Sequence, residues 1–152
     1  MGDKKMMRIM ALDIGTKTIG VAISDELRIT AQGLKTIKRK SMGEDFEEIS
    51  TIITQFKIEK VVVGLPKNMN GTFGKQAEIV FQWIKAFKEK IPLPVVTQDE
   101  RLSTVEASRT LLEADLSRKK RKGVIDKLAA VIILQGYLDQ IRNRSNEPNL
   151  SA

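Results

Sequence analysis

The chain has 152 residues, 41% hydrophobic and 30% charged, with 26 Lys and Arg against 19 Asp and Glu, a formal charge of +7, and neither Cys nor His. The length suits one domain with a real core, and the two missing residue types exclude disulfides, thiolate nucleophiles, zinc–thiolate sites and imidazole-driven Ser-His-Asp or Cys-His chemistry. Catalysis would fall to carboxylates, Lys, Tyr, hydroxyls or a metal held by oxygens, which means Mg²⁺ or Mn²⁺ rather than zinc or copper.

Residues 1–5 read as a polar leader. The apolar stretch 6–12 is broken by Arg8 and stopped by Asp13, too short for a signal core or a membrane span. A cytoplasmic protein with no membrane partner is the expectation. Residues 7–12 predict a buried strand followed directly by Asp13. Gly15 allows a tight turn, and the alternating, β-branched residues 18–24 predict the hairpin partner. Residues 29–37 predict a weaker third strand. The period then changes: Phe46, Ile49, Ile53 and Phe56 recur at helical spacing, with Glu44, Asp45, Glu47 and Glu48 near the helix start, where acids suit the dipole. Val61-Val62-Val63-Gly64 is a short apolar run of the buried parallel-strand kind. A loop rich in Gly, Pro and Asn follows over 64–74. Ala77, Val80, Phe81, Ile84 and Phe87 mark a second amphipathic helix, and residues 94–98 another strand.

Ser103 with Glu106 is a capping-box pattern opening a helix to about Glu113. Five consecutive cations, Arg118, Lys119, Lys120, Arg121 and Lys122, read as a basic loop. Residues 124–141 predict a last, largely buried helix, and 143–152 a frayed tail. The whole chain, 1–152, is one α/β domain. Its predicted architecture is a mixed five-stranded sheet, a three-strand antiparallel meander plus two parallel strands, flanked by helices.

Acids occur where burial should disfavour them. Asp13 follows the first strand, the pair Asp99-Glu100 ends the last one, and Asp126 opens the final helix. Ala129, Ala130 and Ile133 follow Asp126 at helical spacings of three, four and seven, so position 126 shares their face. Each acid has a local explanation: a turn residue, helix-start chemistry, or a pair with Lys122. Gathered at one sheet edge, they would repel one another unless a cation held them. Two divalent ions about 4 Å apart would serve phosphodiester hydrolysis and require no histidine.

Four segments carry a family resemblance. Residues 13–22 (Asp-Ile-Gly-Thr-Lys-Thr-Ile-Gly-Val-Ala) resemble the first hairpin of the YqgF/RuvX family, and residues 64–72 (Gly-Leu-Pro-Lys-Asn-Met-Asn-Gly-Thr) its central loop. Residues 99–104 (Asp-Glu-Arg-Leu-Ser-Thr) and 122–130 (Lys-Gly-Val-Ile-Asp-Lys-Leu-Ala-Ala) are similar to its remaining motifs. The match runs from about Arg8 to Gln140. It implies an RNase H-like fold and a nuclease using carboxylate-held Mg²⁺ or Mn²⁺. The family is described both as Holliday junction resolvases and as nucleases that trim the 5′ end of precursor 16S ribosomal RNA, so ribosomal precursor particles are implied partners. Carried over by position, Asp13, Glu100 and Asp126 are the catalytic, metal-binding acids, with Asp99 the alternative to Glu100. The family's loop often has Asp where this chain has Asn70, and an Asn-Gly turn suffices to explain Asn70-Gly71.

Lys17 and Arg101 flank the acids and are candidates to hold phosphate oxygens. The run 118–122 is the candidate contact to a nucleic-acid backbone, in keeping with a pI of 9.7. An aromatic content of 5% argues against a base-stacking platform. Two other readings stay open. One is a nucleotide-binding module, because Asp13-x-Gly15 through Gly20 also resembles the phosphate hairpin of actin-like ATPases, although these use two such domains. The other is a non-catalytic RNA or ribosome binder on the same fold. The sequence leaves RNA against DNA, and monomer against homodimer, undecided.

Overall fold

The structure, a computed structural model, describes residues 7–66, 70–99 and 118–146. The predicted leader, Glu100, Arg101 and the capping-box helix beginning at Ser103 lie outside the described residues, as do the side chains of 118–126. Eight elements follow in order: β1 (Arg8–Ile14), β2 (Thr18–Ser24), β3 (Ala31–Lys38), α1 (Met42–Phe56), β4 (Ile58–Leu65), α2 (Lys75–Lys90), β5 (Val95–Asp99) and α3 (Arg118–Asn146). The sheet order is β3-β2-β1-β4-β5. β1 pairs antiparallel with β2 and parallel with β4, β3 is antiparallel to β2, and β5 is parallel to β4. This is the predicted mixed sheet.

The sheet divides two apolar layers because successive strand residues face opposite ways. Met10, Leu12, Ile14, Ile19, Val21, Val61, Val63 and Leu65 face α1 and α2. Ile9, Ala11, Ala22 and Val62 face α3, which covers them with Ala129, Ala130, Ile133, Leu134 and Leu138. Small side chains on both partners let α3 lie close to the sheet. Phe46, Trp83 and Phe87 form the aromatic centre of the first layer, with Phe46 edge-on to Trp83 at 5.3 Å and Trp83 stacked on Phe87 at 5.0 Å.

Local chemistry sets the helix ends. Ser41 caps α1 by accepting a hydrogen bond from the Glu44 amide at 3.2 Å, and Lys57 ends it in the left-handed region at φ 54°. α2 starts at Gly74 with no side-chain cap. Asn70 turns back on itself: its Oδ1 accepts from the Thr72 amide at 3.1 Å and the Thr72 hydroxyl at 2.6 Å, and Gly71 takes φ 86°. That is a turn-building role for Asn70.

Four expectations are corrected. Asp13 lies within β1 rather than after it, because its backbone pairs with Gly20. The buried stripe of α2 runs through Ala77, Val80, Trp83 and Phe87, and Phe81 instead projects from the core. Residues 118–122 are the first turns of α3 rather than a loop, which moves Asp126 well inside the helix. The same helix runs on to Asn146, into the segment expected to be a frayed tail.

Candidate functional site

Strand register places Asp13 in a row with three other residues. Asp13 pairs with Gly20 on β2. Leu12 aligns with Val63, so Asp13 lies beside Gly64 on β4, and Gly64 aligns with Gln98 on β5. By alternation all four positions look toward the α3 side, since Ala11, Ala22, Val62 and Val96 do. The row therefore reads Gly20, Asp13, Gly64, Gln98. The carboxylate is only 8% exposed and has glycine on both sides. Gln98 is 4% exposed, and its Nε2 has no hydrogen-bond partner. Neither strand neighbour of this buried carboxylate carries a side chain, at the carboxyl edge of the parallel strands. Edges of this kind are where open α/β sheets bind ligands.

The same register separates the two acids left open at the end of β5. Asp99 aligns with Leu65, whose side chain joins the core on the α1 and α2 side. Asp99 thus falls on the opposite face from Asp13. It is also two strands away, about 10 Å across the sheet.

α3 runs against the direction of β1. A Cβ on Gly33 would lie 2.7 Å from Cγ of Lys127, whereas eight residues further along α3 Gln135 holds the amide of Ala31 at 3.0 Å and the carbonyl of Ile29 at 2.9 Å. Since β3 runs parallel to β1, the first turns of α3 lie toward the sheet edge that carries Asp13. Position 126 precedes the buried Ala129, Ala130 and Ile133 by three, four and seven residues, on the sheet-facing stripe. The cationic run 118–122 occupies the N-terminal end of the helix, and no acid lies in its first turn. Cations there oppose the helix dipole, each at a cost of about 0.3–1 kcal/mol, so an anionic ligand at that end would offset a built-in electrostatic conflict.

Lys17 is exposed at the tip of the β1–β2 turn, four residues past Asp13. Arg39, which the sequence pattern did not single out, holds that turn. Its amide donates to the Lys17 carbonyl at 2.9 Å, its Nη1 to the Gly15 carbonyl at 2.8 Å, and its Nε lies 3.7 Å from Oδ2 of Asp45. Asp45 is 2% exposed and also accepts from the Lys40 amide at 3.0 Å. Nothing in the sequence marks this pair, because Asp45 is one of four acids near the start of α1. Arg39→Ala should leave Asp45 buried without its counter-ion and release the turn after Asp13. A loss of about 2 kcal/mol of stability is expected, checked by urea unfolding, with reduced activity at temperatures where the variant is folded.

Among the described residues no group of three or more acids is placed to hold a metal, and no helix is long and apolar enough to cross a membrane. Of the three proposed ligands, only Asp13 has a described side chain.

Comparison with known proteins gives a consistent result. The profile of a family described as "RuvX: Holliday junction resolvase" matches residues 7–140. A protein of Desulforamulus reducens is 58% identical over 133 residues, covering 88% of this chain and 97% of its own length. One of Thermoanaerobacter pseudethanolicus is 58% identical over 139 residues, covering 91% of this chain and 100% of its own. Both carry the name "Putative pre-16S rRNA nuclease". In fold, the chain resembles Thermus thermophilus RuvC in complex with a Holliday junction substrate, with a TM-score of 0.59 at 16% identity over 90% of this chain and 96% of that one. It also resembles the fowlpox virus Holliday junction resolvase, with a TM-score of 0.52 at 16% identity over 88% and 99%.

Proposed function

The chain belongs to the RuvX family, matched from residue 7 to residue 140, and from that premise we propose that it is a metal-dependent nuclease that hydrolyses phosphodiester bonds, trimming the 5′ end of precursor 16S ribosomal RNA. The observation that carries the reading is the row Gly20, Asp13, Gly64, Gln98, in which a buried carboxylate sits between two residues without side chains. Positions without a Cβ allow the close approach of a polynucleotide backbone. The ribosomal substrate is supported by the names of relatives that this chain covers almost end to end.

The donor chemistry of the candidate residues suits a hard divalent ion, because Asp13, Glu100 and Asp126 offer only oxygens. Asp13, Glu100 and Asp126 would hold Mg²⁺ or Mn²⁺; the face assigned to Asp99 favours Glu100 within the pair. Such an ion supplies a lower pKa for water and charge neutralisation at phosphorus. The chain's own part is positional. β1 fixes Asp13 through its own pairing with Gly20 on β2 and that of the preceding Leu12 with Val63 on β4, and Arg39 pins the turn that follows it. The N-terminal end of α3 holds substrate phosphates with the cations 118–122, and Lys17 and Arg101 reach phosphate oxygens nearer the acids. These contacts orient the backbone without reading bases.

A second reading, resolution of four-way DNA junctions, is favoured by the family's description and acts through the same site. A symmetric junction needs two active sites, so that reading also requires a dimer.

One panel tests both. RNA carrying an extended 5′ precursor end and a four-way DNA junction are incubated with Mg²⁺ or Mn²⁺. Shortening of the RNA with the junction intact is the expected result. Cleavage of the junction alone replaces the first reading with the second. Binding without cleavage under either metal would mean a non-catalytic binder.

A further inference from the structure

Of the five Phe residues, Phe46 and Phe87 are buried and Phe56 packs against the core, yet Phe73 is 52% exposed and Phe81 40%. The two exposed rings meet edge to face, 5.3 Å apart at 79°. Phe73 immediately precedes the N-cap of α2, Gly74. A hydrophobic staple at that place would pack on the fourth helical residue, but that is Glu78. Phe73 instead reaches Phe81, nearly a turn further on, and both rings keep large faces in solvent.

Their location adds meaning. The segment from β4 to α2 leaves the carboxyl edge of the sheet, where Asp13 lies. Gln76, in the first turn of α2, donates from Nε2 to the carbonyl of Ile14 at 3.4 Å, which ties that turn to the residue following Asp13. The amides at the start of α2 have no side-chain cap. α2 and α3 cover opposite sides of the sheet, so the aromatic pair stands across this edge from the face toward which Asp13 looks.

We propose that Phe73 and Phe81 form a stacking platform for one unpaired nucleobase where a polynucleotide passes the α2 side of this sheet edge. The inference rests on the nuclease reading and adds a substrate requirement to it: a single-stranded nucleotide that reaches past the edge to the α2 side. The occupant is a base rather than a protein surface for two reasons. Two rings match the size of one base, far below the roughly 1,200 Å² of a stable protein interface. The chain's +7 charge complements a polyanion. Stacking on an aromatic face is tolerant of base identity, so the platform selects unpaired structure, not sequence.

The test uses an RNA hairpin with a 5′ single-stranded extension carrying 2-aminopurine at successive positions. Wild-type protein should quench the probe most strongly at one position. Phe73→Leu and Phe81→Leu should remove that quenching and weaken binding about tenfold, and Phe73→Tyr should restore both. An abasic site at that position should weaken wild type to the level of Phe73→Leu. Both positions are exposed, so unchanged thermal melts are expected to accompany the loss. Equal quenching and affinity in wild type and both Leu variants would overturn the platform. So would Leu variants that alter only the sedimentation mass, since the face would then join copies of the chain. The nuclease reading fails separately, if wild type cuts neither RNA nor junction; base-dependent quenching is still read in that case.

Discussion

Asp13→Asn is expected to lower metal-dependent cleavage at least about 10³-fold while leaving the chain folded. The substitution keeps the shape of the side chain and removes only its charge. A ligand that loses its charge forfeits several kcal/mol of electrostatic stabilisation at the phosphate, and each 1.36 kcal/mol is tenfold in rate. Folding should change little. Asp13 is 8% exposed, and the amide that replaces the carboxylate keeps its size and its place opposite Gly20 in the β1–β2 ladder. The melting temperature of the metal-free variant should therefore stay close to that of wild type. Calorimetric titration with Mn²⁺ should lose its strongest binding event. Undiminished cleavage by Asp13→Asn would remove this residue from the ligand set, and a lowered melting temperature would make its role structural.

The second large effect belongs to the basic run. Replacing Arg118, Lys119, Lys120 and Arg121 together by Ala should weaken nucleic-acid binding roughly 10³-fold at 0.1 M salt. It should also flatten the plot of log affinity against log salt by about 3 units, at about 0.7–0.9 for each phosphate no longer neutralised. Because these cations occupy the positive end of α3, their removal should not destabilise the helix. Sequence preference among substrates should not change, because phosphate contacts carry none. An unchanged salt slope, measured by titration across 50–300 mM salt, would place the run away from the substrate.

The strands were legible because their signals are local. β2 occupies the predicted residues 18–24, and the valine run of β4 reads as buried on both faces because α1 and α2 cover Val61 and Val63 while α3 covers Val62. Helix faces were less legible. Phe81 and Trp83 are two residues apart, and their hydrophobicity alone does not say which faces the sheet; the packing of Phe46 and Phe87 around Trp83 decides it. The run 118–122 read as a loop because like charges at a helix start are unfavourable in isolation. The low aromatic content argued against stacking, but a count of rings carries no information about which are left in solvent.

The amino-acid sequence by itself determined the chemistry open to this protein. With neither His nor Cys, imidazole and thiolate chemistry are excluded, and four ordered motifs were enough to identify the family. Only the tertiary structure decided how those residues face one another. Strand pairing aligned Asp13 with Gly20, Gly64 and Gln98 and turned Asp99 to the other side of the sheet. It also buried Asp45 against Arg39 beneath the turn that follows Asp13. Register depends on contacts between segments far apart in the chain, and a shift of one residue exchanges the two faces of a strand.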